Sequence, residues 1–115
     1  MNQVILIGRV INVPEIKLEN GHKTCVFNIE IERTRALPSE KSEAIDKKYY
    51  EFPRIFAFDE VAETFHKSIK KSDSVKVTGW IHIMLNSSNF RNYYHTEIIA
   101  DEIELLEEEA TYESL

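Results

Sequence analysis

Cysteine occurs once in this 115-residue chain, and the four histidines have no ligand-like spacing. A single Cys25 excludes an internal disulfide and a cysteine-rich zinc site, and it fits a reducing cytoplasm. By parity Cys25 lies with Phe27, Ile29 and Ile31, so it reads as a core thiol and not a nucleophile. His22, His66, His82 and His95 are scattered, and no metal or other cofactor is expected. Phosphate-loop and nucleophile motifs are absent, which argues against catalysis. No apolar run approaches the ~20 residues that a membrane-spanning helix requires. Val4-Ile5-Leu6-Ile7 is too short for a signal-peptide core, and Met1-Asn2-Gln3 lacks a basic lead. No membrane partner and a cytoplasmic location are expected.

Positive charge is also in short supply, because the formal net charge is −6. Its distribution is uneven. Residues 101–115 hold seven acids and no Lys or Arg, so the other 100 residues set 14 basic side chains against 13 acidic ones. A near-neutral body exerts little long-range pull on phosphates. Charged residues at 30% and hydrophobic ones at 43% are ordinary for a globular chain, and the length fits one domain.

Period-two alternation dominates what is present. Residues 3–13 form a β-rich run interrupted by Gly8, which predicts a bend, and Pro14 marks its end. Asn20-Gly21 predicts a tight hairpin, after which Cys25, Phe27, Ile29 and Ile31 share one face. The first two strands are expected to pair antiparallel. Arg35 to Lys48 has little periodicity and reads as a long mobile loop. With Arg33 it forms either a basic arm (Arg33, Arg35, Lys41, Lys47, Lys48) or a solvated surface loop. Asp59 is placed to cap a helix of about three turns whose apolar side is Val61, Phe65 and Ile69. Ser74 to Leu85 predicts a strand with Val75, Val77, Ile81 and Ile83 on one face and Lys76, Trp80 and Met84 on the other. Asn86 to Asn89 reads as a turn, and Tyr93 to Leu106 as a last strand.

Tyr49 to Phe58 carries the most chemistry. Its even positions, Tyr50, Phe52, Arg54, Phe56 and Phe58, make a row of rings with a guanidinium among them. Its odd positions taper from Tyr49 and Glu51 to Ile55 and Ala57, as for a strand entering a tight interior. Taken alone, the ring row reads either as core or as a stacking platform for unpaired bases, since every base offers a π-face.

Three strands, one helix and two strands, with a glycine in two of the strands, predict an all-β fold with one helix. The architecture is a five-stranded oligonucleotide/oligosaccharide-binding (OB) barrel, with the helix between strands three and four. A split α+β sheet is the alternative.

Asn2-Gln3-Val4-Ile5-Leu6-Ile7-Gly8-Arg9-Val10 with Pro14-Glu15 resembles the opening of the bacterial single-stranded DNA-binding protein family. Glu51 to Glu63, Val77-Thr78-Gly79 and Tyr94 to Ala100 are similar to its third strand and helix and its last two strands. Ala100 to Leu106 also resembles the ending of the tail-less primosomal replication protein built on the same barrel. The resemblance covers residues 2–106 and implies single-strand binding by stacking and phosphate contact, in replication, recombination or repair. Phe52 and Phe58 match stacking positions of the family. Arg35 and Asn86 stand where it often has aromatics, and His82 and Met84 replace its basic residues.

The expected domain is residues 1–106, followed by a short acidic tail at 107–115. Phe52, Phe56 and Phe58 are expected to stack bases, with Tyr50 and Trp80 as additions, and Arg54, Arg33, Arg35 and Lys76 to meet phosphates. The expected partners are single-stranded DNA, a second copy in a dimer or tetramer, and replication proteins. The alternative is a protein–protein adaptor on the same barrel.

Overall fold

Alternating apolar residues are translated into strands whose inner faces meet in one core. The computed structural model describes residues 1–40, 47–88 and 91–107. In chain order it contains β1 (Val4–Val10), β2 (Lys17–Glu19), β3 (His22–Arg33), a 3-10 turn (Pro38–Glu40), β4 (Tyr49–Glu51) and β5 (Arg54–Phe58). Helix α1 (Asp59–Ser68) and the long strands β6 (Ser74–Ser88) and β7 (Arg91–Leu105) follow.

β1 pairs antiparallel with β6, β6 with β7 and β3 with β5, while β5 and β7 run parallel. Pairing of Arg9 with Glu30 and Val10 with Ile29 joins β1 to β3 and closes the ring. The result is the OB barrel, with β2 and β4 as short additions to β3. The predicted antiparallel contact of the first two long strands is present but brief. The Asn20-Gly21 hairpin instead joins β2 to β3, both residues taking positive φ (50° and 80°) as that turn requires.

Val10, Cys25, Phe27, Ile29, Ile55, Ala57, Val75, Val77, Ile98 and Ala100 fill the barrel. Ala62, Phe65 and Ile69 seal it, the Phe65 ring stacking on Phe27 with centroids 3.9 Å apart. Two glycines permit close strand approach. A Cβ on Gly8 would stand 2.7 Å from the Glu30 carbonyl oxygen, and one on Gly79 only 2.0 Å from that of Ile99. Cys25 is buried in the core with its Sγ toward the Pro14 carbonyl, and burial pushes its thiol pKa up.

Several expectations are corrected. The aromatic stretch is two strands, interrupted at Phe52-Pro53 where proline offers no ladder N–H. Asp59 does not cap α1. It is the first helical residue, with φ at 48°, and its carboxylate accepts hydrogen bonds from His22 Nδ1 (2.9 Å) and the Lys23 backbone N–H (3.1 Å). These contacts, led by that from His22, hold its pKa below the usual carboxylate value. Ile81 and Ile83 are not core residues. Between Thr78 and Gly79 the β6–β7 register shifts, Asp101 is left unpaired, and the two strands leave the barrel as an arm exposed on both faces. Asn86 and Ser87 belong to that arm and not to a turn, while Asn89 lies outside the described residues. Asn2 fastens the arm's root, its side-chain amide donating to the Ile81 carbonyl (2.7 Å) and accepting from the Ile81 N–H (2.9 Å).

Candidate nucleic-acid interface

The break at Phe52-Pro53 conserves register. Ile31 faces Glu51 and Asn28 faces Arg54, so β4 and β5 continue one antiparallel alignment along β3, interrupted at Phe52 and Pro53, where the Ile29 N–H still donates to the Pro53 carbonyl at 3.4 Å. Alternation therefore carries through the gap. The odd residues Ile55 and Ala57 are fully buried, whereas Tyr50, Phe52 and Phe58 are 38%, 56% and 39% exposed. The core reading of the ring row is excluded. Its rings point outward.

Neighbours within the row touch in pairs. Tyr50 and Phe52 are tilted against each other with centroids 6.4 Å apart, and the Arg54 guanidinium lies 5.3 Å from the centre of the half-buried Phe56 ring. Arg54 borders two grooves. One is lined by Pro14, Lys17, Val26 and Phe56 with the carboxylates of Glu15 and Glu19, and the other by Met84, Asn86, Tyr94 and Thr96 of the arm with that of Glu97. A cation between two channels, flanked by rings, suits a chain of alternating phosphates and bases.

The arm adds surface that the sequence reading assigned otherwise or missed. Tyr93 and Tyr94 are exposed, Tyr94 at 72%, together with Ile83, Met84 and Leu85. Trp80 lies on the outer face at the arm's root, edge-on to the His82 ring at 5.9 Å. Lys17, on the groove beside Phe56, was also missed, because β2 is too short to show a period.

The expected cations separate. Arg33 donates from Nη2 to Glu40 Oε2 (2.6 Å) and from Nη1 to the Arg35 carbonyl (2.6 Å). Its Nε forms an ion pair with Glu51 Oε1 at 2.5 Å, and its guanidinium lies 5.2 Å from the Tyr49 ring centre. Its pKa is raised, chiefly by the hydrogen bond to Glu40, and that of Glu40 is lowered by the same bond. Arg33 staples the chain after β3 to β4 and is not free to meet phosphate. Arg35 is exposed. Lys76 is cross-strand to Ile7 and Glu104, on the β1–β6–β7 side, away from the ring row on β5. Of the expected basic arm, Lys41 lies outside the described residues, Lys47 lies over the Tyr49 ring, and Lys48 is 3.8 Å from Glu32. Among the described residues no group of three or more His, Cys, Asp or Glu is arranged to hold a metal, and no helix is long and apolar enough to cross a membrane.

Comparison with known proteins agrees with this geometry. The family model "Single-strand binding protein family" matches residues 1–106. Single-stranded DNA-binding protein 1 of Staphylococcus aureus is 29% identical over 117 residues, covering 96% of this chain and 69% of the relative. Single-stranded DNA-binding protein 3 of Clostridium acetobutylicum is 30% identical over 108 residues, covering 93% and 72%. Among solved structures, the Plasmodium falciparum SSB complex with single-stranded DNA superposes with a TM-score of 0.74 at 26% identity, covering 93% of this chain and 96% of that one. The wild-type single-stranded DNA-binding protein of Thermus aquaticus shares the fold, with a TM-score of 0.77 at 17% identity, over 96% of this chain and 52% of its own. With the barrel, the outward ring row and these matches together, the chain belongs to the single-strand binding protein family.

Proposed function

We propose that this protein binds single-stranded DNA without catalysis, by stacking bases on Phe52, Phe58 and Tyr50 and drawing phosphates to Arg54. The observation that carries the reading is the outward ring row, whose faces are left for a ligand while the alternate residues are buried. Phe56 supports Arg54 from beneath and is a secondary contact. Tyr93 and Tyr94 extend the platform onto the arm, Lys17 and Arg35 supply peripheral charge, and Trp80 lies at the arm's root. Single-strand binding of this kind serves replication, recombination or repair, in the cytoplasm. Titration of fluorescently labelled oligo-dT at low salt tests it. Saturable binding that weakens with salt is expected, and no binding at low salt would overturn it.

The protein acts as at least a dimer. On the β3 side the β1 ladder covers only Arg9 and Val10, so Val4–Gly8 keep an edge free of ladder partners among the described residues. Ile5 and Ile7, 56% and 57% exposed, border that edge. Light scattering at micromolar concentration is expected to give at least twice the chain mass, and Ile5→Lys to lower it. A monomeric wild type refutes this assembly.

The second reading is an adaptor for replication proteins, favoured by one observation. Along 80–88 and 91–96 the arm carries Arg91 as its sole Lys or Arg, yet exposes Ile83, Leu85 and Tyr94. Failure of the oligo-dT titration would favour it.

A further inference from the structure

Of the two carbonyls in the β4–β5 interruption, that of Pro53 still accepts from the Ile29 N–H at 3.4 Å, whereas among the described residues no backbone N–H reaches that of Phe52. Pro53 has no N–H and restrains Phe52 to extended backbone. One side chain supplies a donor to the Phe52 carbonyl. Asn28 Nδ2 donates to the Phe52 carbonyl at 3.2 Å and lies 3.4 Å from that of Pro53. The Asn28 backbone is engaged on the opposite edge, its N–H donating to Asn12 Oδ1 (3.0 Å) and its carbonyl accepting from the Ile11 N–H (3.0 Å). Asn28 therefore bridges the chain after β1, strand β3 and the backbone that carries the most exposed ring of the β5 face.

We propose that Asn28 is a positioning residue for single-strand binding: its amide holds the Phe52 carbonyl, and so fixes the Phe52 ring beside Tyr50 before DNA arrives. The inference rests on the stacking reading above. An aromatic platform that is ordered in advance loses less conformational freedom when a base docks. The amide acts on the backbone and the ring acts on the base, so their effects on affinity are coupled.

A double-mutant cycle read by labelled oligo-dT tests this. Asn28→Ala is expected to weaken binding about 5-fold in the wild-type background, a fraction of the roughly 5- to 150-fold that a stacked ring contributes. In the Phe52→Ala background the same change is expected to weaken binding less than about 2-fold, because the ring it positions is gone. Asn28→Leu, close in shape but without a donor, should match Asn28→Ala, and neither should alter the salt slope. Equal losses in both backgrounds would mean direct contact or a general structural role, and unchanged affinity would mean no role; either overturns the proposal. If the wild type fails to bind oligo-dT, the stacking reading itself falls and this inference with it. If both Asn28 variants fail to fold, fluorine NMR on wild-type protein with labelled Phe52 decides. One narrow, structured resonance without DNA is expected, and a random-coil shift overturns the proposal.

Discussion

Replacing Phe52 or Phe65 with alanine removes the same ring from two opposite environments. Phe52 keeps 56% of its surface exposed, so a little under half of roughly 200 Å² is covered by the fold. At about 25 cal/mol per Å² its burial stabilises the protein by at most about 2 kcal/mol, and an extended-chain reference inflates even that. Phe65 is fully buried and stacked on Phe27, and truncating such a ring costs about 3–5 kcal/mol. At roughly 4 °C per kcal/mol for a domain of this size, Phe65→Ala should lower Tm by at least about 12 °C, and Phe52→Ala by under about 8 °C. Affinity should reverse the order. Phe52→Ala should cost about 1–3 kcal/mol of oligo-dT binding, whereas folded Phe65→Ala should bind normally. Calorimetry and fluorescence titration on the same preparations provide the assay. If Phe52→Ala melts like Phe65→Ala and its folded fraction binds oligo-dT normally, the outward platform is refuted.

Arg54→Ala should weaken binding at low salt and flatten the plot of log affinity against log salt by about one unit, the signature of one lost phosphate contact. An unchanged slope would remove Arg54 from the phosphate path. Gly79→Ala forces a Cβ to within 2.0 Å of the Ile99 carbonyl oxygen, so β7 must shift and stability should fall by about 3 kcal/mol or more, read by urea melts. A melt superposable on wild type would contradict the close approach. Asp59 has its folded pKa lowered, first by His22 and then by the Lys23 N–H, so its contribution is present above the ordinary value of about 3.9 and is lost as pH falls through the folded one. His22→Ala should raise the Asp59 midpoint in a carboxyl NMR titration, and equal midpoints would show that the contact is idle.

Much of the barrel was legible because its signal is local. The parity of Cys25, Phe27, Ile29 and Ile31 and of Ile55 and Ala57 states which face is buried, and the structure obeys it. The features that escaped depend on partners distant in the chain. Ile81 and Ile83 continue the period of Val75 and Val77, but the β1 ladder on β6 ends at Gly79 and only β7 accompanies β6 beyond it, so they stand outside the barrel. Arg33 looks like any basic residue on a loop until Glu40 and Glu51 close around it. Asp59 occupies a capping position in sequence, yet His22 and Lys23 take its carboxylate first. The ring face was readable, but its interruption at Phe52-Pro53 was not. The donor that stabilises that interruption lies 24 residues away from Phe52 and could not be named from spacing.

Asn2 has a mechanical consequence. Its amide imitates a peptide unit and lengthens the hydrogen-bonded seam between β1 and β6 past Val4 to Ile81. The arm is thereby hinged beyond the barrel rim, and a load on its tip acts as on a lever whose fulcrum is the Asn2–Ile81 clamp. Torque from a strand pulled across Tyr94 would pass into β1 before it strained the packed interior. Tension on the arm would then be felt first along Val4–Gly8, the β1 edge free of ladder partners among the described residues.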